Sequence, residues 1–276
     1  MPQQSNLARL PVLRRFLKLP RVERVVSAFL RGRVVRETIR FALTEILGRR
    51  VLRRYRLRGS ALVVHVRHSS PDVLNLDEVF YQRLYDAPDP VLRALARIGR
   101  PPRIVDLGAN VGLAGAWFLG THPGASVLAY EPDPANAAVH GRTLDANGLD
   151  GRWKLVVAAA GVEAGEVTFV AGSFAESRVA APGEDGVPVD SVDVLPELTR
   201  ADLLKIDIEG GEWTILADER FAETSSRAVV LEYHPHLCPG PEPRAHAERL
   251  LRSAGFEVQD IFQAPDGHGM VWGWRP

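Results

Sequence analysis

Six carboxylates and a histidine occupy positions in this chain where chemistry is easiest to read. They are Asp106 in DLGANVG, Glu131 in EPDP, Asp207, Glu209 and Glu212 in KIDIEGGEW, and Glu232 and His234 in LEYHPH. Each block starts in a short apolar run and ends in acid. That is the pattern of a strand buried on both faces whose last residues emerge at the edge of a parallel sheet. Ligands of open α/β sheets bind beyond the carboxyl ends of the strands, so these acids should converge on one crevice.

RIVDLGANVG (residues 103–112) reads as a buried strand running into a turn with glycines at 108, 112 and 115, and VLAYEPDP (127–134) as the next strand, ending at Glu131 and Pro132. Gly108 and Gly112 let the backbone turn tightly and approach a ligand closely, and Glu131 is placed to accept hydrogen bonds from ribose hydroxyls. The spacing of 25 residues from Asp106 to Glu131 is close to the roughly 20 of nucleoside-binding βαβ units. The turn lacks the GxGxxG spacing, and Asp106 at its mouth is a poor host for a pyrophosphate. S-adenosylmethionine, cationic and free of phosphate, fits an acidic mouth. Taken alone, DLGANVG also describes an ordinary strand-to-helix turn.

Asp207 and Glu209 should point into this crevice, and Asp207 and His234, the latter with an ordinary pKa of about 6.5, are the candidate general bases. Glu209 and Glu212 can equally cap the following helix or pair with Lys205, and a histidine before proline is often structural. The other histidines, His268 among them, have no motif around them. A variant reading has Asp207, Glu209 and Glu232 holding Mg²⁺ to lower the pKa of an acceptor hydroxyl.

Around these blocks the sequence predicts strands alternating with helices, hence a mostly parallel sheet. Expected strands are 60–68, 103–107, 127–131, 154–158, 166–170, 187–194, 202–207, 228–233, and a terminal hairpin of 256–262 with 269–274. Expected helices are 76–85, with Phe80 and Tyr85 inward, then 88–99, 134–147 with Gly148 as its stop, 212–218 and 243–254. The Gly- and Pro-containing segment 172–186 reads as a surface loop whose residues 173–178 can reach a cofactor.

Net charge is zero, but residues 1–60 hold 16 basic and 3 acidic residues while the rest holds 18 and 31. This leader has helical periodicity to about residue 58, with stripes at Leu10, Leu13, Phe16 and Leu17, at Val22, Val25, Val26, Phe29 and Leu30, and at Ile39, Leu43, Ile46 and Leu47. Either it faces an anionic partner, such as a membrane surface or a nucleic acid, or it packs on the acidic body with arginines outward. Its arginines fit a general bias, since the chain has only three lysines. The single cysteine, Cys238, excludes an intramolecular disulfide and a CxxC metal site. The sequence predicts no membrane span and no signal peptide, and so a cytoplasmic protein.

DLGANVG, EPDP with Leu144 and Asn147 on the helix after it, a strand ending near Asp193, KIDIEGGE and LEYH together resemble the FkbM-type S-adenosylmethionine-dependent methyltransferases, and SSPDVLNLDEVFYQRLYD (69–86) is similar to that family's lead-in. The resemblance implies a Rossmann-like class I methyltransferase fold with a seven-stranded, mostly parallel sheet, a terminal antiparallel hairpin and an N-terminal helical segment. Residues 1–100 would form a basic helical lead-in and 101–276 the cofactor-binding domain. It implies O-methylation of a hydroxyl on a small molecule or sugar. Asp106, Gly108 and Asn110 would line the methionine part of the cofactor, Glu131 would take the ribose, and Asp207 would stand beside the reacting methyl with Glu209 next to it. Where methyltransferases commonly place a polar residue to read adenine, this chain has VVAAAG, so backbone at Ala158 and Ala159 or the side chain of Ser177 would substitute. Two other classes remain: a nucleic-acid or protein methyltransferase using the basic N-terminus, and a cofactor-binding protein without catalysis. The motifs of base methylation are absent.

Overall fold

Arginine-rich sequence hides a strand near the N-terminus. The computed structural model describes residues 20–149, 151–170, 177–181 and 183–276. The expected stripe at Leu10 to Leu17 and residues 173–176 lie outside these. Helices α1 (Pro20–Gly32) and α2 (Thr38–Ile46) lead into β1 (Leu52–Arg56), which pairs antiparallel with β2 (Val63–Arg67). Helical periodicity was expected to run to residue 58, but 52–56 is extended. Tyr55 is its one fully buried residue and Arg53, Arg54 and Arg56 face solvent, so the alternation is carried by a single aromatic. The third stripe is also reversed: Ile39 (68% exposed), Leu43 (50%) and Leu47 (61%) look outward, while Phe41 and Ala42 pack inward.

β2 is joined to the rest by side chains. The amide of Asn147 brackets Val63, accepting from its N–H at 2.9 Å and donating to its carbonyl at 2.8 Å, and Thr143 Oγ1 accepts from His65 N–H at 3.1 Å. α3 (Asp72–Leu76) then runs into one π-helical turn, Asp77–Tyr81, so the helix expected over 76–85 starts earlier and ends sooner. Tyr85 lies beyond it but is buried, as expected. α4 (Asp89–Ala96) completes the lead-in.

From residue 103 strands and helices alternate. β3 (Arg103–Leu107), α5 (Leu113–Thr121), β4 (Ser126–Tyr130), α6 (Pro134–Asn147) and β5 (Trp153–Val156) come first. Asp133 caps α6 by accepting from the N–H groups of Ala135 and Asn136, and Gly148, at φ 59°, ends it. β6 (Ala159–Gly161), β7 (Gly165–Val170), β8 (Arg178–Val179) and β9 (Val187–Asp193) form a separate four-stranded sheet ordered β6-β9-β7-β8. The last part holds α7 (Leu195–Leu198), β10 (Leu203–Ile206), α8 (Glu212–Ala217), α9 (Glu219–Ala222), β11 (Ala228–Tyr233), α10 (Pro243–Ser253), β12 (Glu257–Gln263) and β13 (Gly269–Trp274).

The main sheet has seven strands in the order β12-β13-β11-β10-β3-β4-β5. Neighbours from β11 to β5 are parallel, and β13 runs antiparallel to both β11 and β12, which gives the expected Rossmann-like class I methyltransferase sheet with its terminal hairpin. β3, β10 and β11 lie side by side at its centre, so the ends of DLGANVG, KIDIEGGE and LEYH are adjacent. One apolar cluster extends from Val35, Phe41 and Tyr55 through Trp117 and Phe118 to Trp272, so the lead-in shares its core with the sheet. None of the described helices is long and apolar enough to cross a membrane.

Candidate active site

The turn after β3 is held against its two neighbouring strands. Gly108 and Ala109 N–H both donate to the Tyr130 carbonyl, at 3.0 and 2.9 Å. Gly108 has φ 79°, and a Cβ there would stand 1.7 Å from the Asp207 carbonyl oxygen, so no other residue fits without moving the backbone. Gly112, at φ 86°, opens α5 and leaves room for the His140 ring, which a Cβ would meet at 2.6 Å.

Glu131, at the end of β4, is buried and takes backbone N–H groups of Asn110 (2.7 Å) and Asp133 (2.9 Å), one on each oxygen. A carboxylate has about four acceptor positions, so further hydrogen bonds remain open to it. Burial pushes its pKa up to about 7, against the pull of those two N–H groups. Asn110 has φ 48°, and its Oδ1 is buried without a hydrogen-bond partner among the described residues.

Beneath the turn lies a cation unforeseen in its role. Lys205 Nζ, in the middle of the sheet, donates to the Gly108 carbonyl at 2.6 Å and approaches Asp207 Oδ2 at 3.1 Å and Asp106 Oδ1 at 3.4 Å. Burial opposes its charge, but Asp207 and Asp106 outweigh it and hold the ammonium well above its ordinary pKa. Asp106 is fully buried and its pKa is raised by that burial, with Lys205 pulling the other way. The acid expected at the mouth of the turn therefore lies under it, tied to Lys205.

Beyond β10 and β11 four acids surround one imidazole. Glu212 is fully buried; its Oε1 accepts His234 N–H at 2.8 Å and lies 3.3 Å from His234 Nδ1, and its Oε2 accepts Gly210 N–H at 2.7 Å. His234 Nε2 points the other way, 3.4 Å from Glu209, 3.9 Å from Asp207 and 4.0 Å from Glu232. Burial works against the imidazolium, but the Glu212 hydrogen bond and the charges of Asp207, Glu212 and Glu209 push its pKa up to about 10. Burial and the Asp207 charge raise Glu209 to about 7 and Glu232 to about 8. Glu209 itself has φ 53°, a strained backbone of the kind that clusters at functional sites.

Two cavities adjoin here and share part of their lining. A cleft of about 660 Å³ is lined by Gly108, Asn110, Lys205, Asp207, Glu209, Glu232 and His234, and across it by Leu74, Glu78 and Tyr85 of the lead-in and His268 of the hairpin turn. A recess of about 80 Å³ is lined by Glu131, Pro132, Ala159, Ala160, Phe169 and Ser177, and shares Gly108, Asn110, Asp207 and Glu209 with the cleft. Of the expected site residues, Gly108, Asn110, Glu131, Pro132, Ser177, Asp207, Glu209 and His234 line these spaces. Asp106, Gly112 and Ala158 do not, and Ala159 and Ala160 take the place of Ala158. Lys205 was readable as a lone lysine inside an apolar strand. Glu78, Tyr85 and His268 carried no such signal, because only the fold brings them together.

The model of the methyltransferase FkbM domain matches residues 106–258. The chain is similar to the methyltransferase sdnD of Sordaria araneosa, 28% identical over 236 residues that cover 70% of this chain and 86% of that protein. It is also similar to methyltransferase 1 of Beauveria bassiana, 25% identical over 210 residues covering 66% and 79%. Among solved structures, precorrin-6y C5,15-methyltransferase from Geobacter metallireducens aligns over 67% of this chain and 87% of that one, with a TM-score of 0.40 and 13% identity.

Proposed function

This chain belongs to the FkbM methyltransferase domain family and is an S-adenosylmethionine-dependent methyltransferase, and on that premise we propose that it methylates a hydroxyl oxygen of a small molecule or sugar. The observation that carries this reading is that the Glu131 recess and the Asp207 cleft adjoin, with Gly108, Asn110, Asp207 and Glu209 lining both.

The residues present fit the cofactor. Gly108 leaves the backbone bare where the two cavities meet, and Asn110 offers a buried, unpartnered oxygen there. Glu131 keeps acceptor positions for a pair of ribose hydroxyls, and Pro132, Ala159, Ala160 and Ser177, which line the same recess, would hold the base. When bound, S-adenosylmethionine would supply an electrophilic methyl group, which an acceptor oxygen attacks in line with the departing sulfur.

Holding two reactants as an aligned pair is worth about 7–11 kcal/mol of barrier, so positioning is the chain's main contribution. Lys205 fixes Asp207 against the glycine turn, and Asp207 orients the acceptor hydroxyl beside the methyl position. Glu209 and His234 are the other proton-handling groups of this wall, and a positioned base adds a factor of roughly 10² to 10⁴. The imidazolium form of His234 serves to hold Asp207 and Glu209 in place. The lead-in residues Leu74, Glu78 and Tyr85 close the far side, where acceptor selection would reside.

Comparing metabolites of cells with and without the gene by mass spectrometry tests the reading. A hydroxylated compound lacking one methylene unit in the deletion strain is expected. Identical metabolite profiles, together with no methyl transfer by the purified protein to hydroxylated extracts, would overturn it.

A further inference from the structure

We propose that Asp207, Glu232 and His234 form a binding site for a hard divalent cation in the wall of the acceptor cleft; the catalytic use of that site rests on the methyltransfer reading above. One ligand atom from each residue lies within 4.8 Å of the other two, the span of a three-ligand site before it closes on an ion. Two carboxylates suit a hard cation, and the imidazole beside them favours Mn²⁺ over Mg²⁺, which takes oxygen ligands.

A gathering of acids alone would say little, and the imidazole is what singles this one out. His234 has 8% of its surface exposed, and its Nε2 forms no hydrogen bond among the described residues while aiming into the carboxylates. Its Nδ1 faces the wholly buried Glu212 carboxylate, which is itself anchored by the His234 and Gly210 N–H groups. A carboxylate behind Nδ1 holds the proton on that nitrogen, so a cation takes the Nε2 lone pair in exchange for the Nε2 proton, the arrangement found behind metal-bound histidines. Asp207 is divided in the same way: Oδ2 is taken by Lys205, and Oδ1 faces Nε2. The ligand set differs from one made of Asp207, Glu209 and Glu232. Glu209 stays outside it, 3.4 Å from His234 Nε2.

That division gives each group one task. The cation lowers the pKa of the acceptor hydroxyl, and Glu209 receives the proton. The oxygen forms its bond to the methyl carbon as the carbon–sulfur bond breaks, and the bonding pair leaves with sulfur as neutral S-adenosylhomocysteine.

Titration of the full-length protein, loaded with S-adenosylhomocysteine, by Mn²⁺ with electron paramagnetic resonance detection tests the site. One Mn²⁺ per chain is expected, with affinity falling at least tenfold in Glu232→Gln and in His234→Ala, and retained in Glu209→Gln. S-adenosylhomocysteine binding, measured on every variant, reports that the fold is intact. Absence of Mn²⁺ binding by a protein that binds S-adenosylhomocysteine overturns the cation site and leaves the methyltransfer reading standing. Mn²⁺ binding unchanged in both ligand variants overturns it as well. Failure to bind S-adenosylhomocysteine at all would instead remove the methyltransfer reading.

Discussion

Gly108 and Asp207 are in backbone contact across the sheet: a methyl group on Gly108 would sit 1.7 Å from the Asp207 carbonyl oxygen. The glycine turn and the KIDIEGGE block therefore form one unit, and both contribute to the lining that the two cavities share.

Gly108→Ala should accordingly do more than narrow a pocket. A non-glycine residue at φ 79° costs about 1–2 kcal/mol, and forcing a methyl into packed backbone a further 1–3 kcal/mol or so. The expected outcome is a lower unfolding midpoint in denaturant and loss of S-adenosylhomocysteine binding. Gly148→Ala, where no atom of the described residues lies within 4 Å of the new Cβ, carries the backbone cost and should keep binding.

Lys205→Met removes the cation shared by Asp106 and Asp207. Breaking a buried ion pair from one side costs about 3–5 kcal/mol, because the partner stays charged and unpaired. Adding Asp106→Asn to that variant should recover part of the loss. A double-mutant cycle in urea measures the coupling, and additive effects would contradict the pairing.

Glu131, raised to about 7 by burial, gives a pH dependence with a definite sign. The folded state holds the Glu131 proton more tightly than the unfolded chain does, so Glu131 favours folding below its unfolded pKa and loses that contribution as pH rises toward about 7. Cofactor binding runs the opposite way, because the ionised carboxylate is the better acceptor for ribose hydroxyls. One pH unit below this pKa, S-adenosylhomocysteine should bind about tenfold more weakly than at the alkaline plateau. Glu131→Gln should remove that slope, which calorimetric titration between pH 6 and 9 or so would show.

Asn147→Ala should loosen the lead-in. It deletes both hydrogen bonds to Val63, each worth about 0.5–1.5 kcal/mol net. Faster amide exchange in β1 and β2, with β3 and β10 unchanged, is expected.

The central strands were legible because parallel strands buried on both faces are written as unbroken apolar runs, as in RIVDL and AVVLEY. Helix Pro134–Asn147 was legible to the residue from Pro134 at its first position and Gly148 at its stop. The edge at 52–56 was not, because the six arginines of residues 49–58 obscure a period of two carried by Tyr55 alone. The outward turn of Ile39, Leu43 and Leu47 depends on which face of α2 meets the hairpin, and periodicity finds a face without saying where it points. In the site, Asp207, Glu209 and His234 were identifiable from strand ends. The Lys205 contact with Gly108 spans 97 residues and exists only in the folded chain.

Equilibrium binding of S-adenosylhomocysteine, followed by methyl transfer from labelled S-adenosylmethionine to a hydroxylated acceptor, in the wild type and in Asp207→Asn, tests the central claim most directly. The account predicts that both proteins bind S-adenosylhomocysteine and that only the wild type transfers the methyl group. Transfer by Asp207→Asn at the wild-type rate would contradict it.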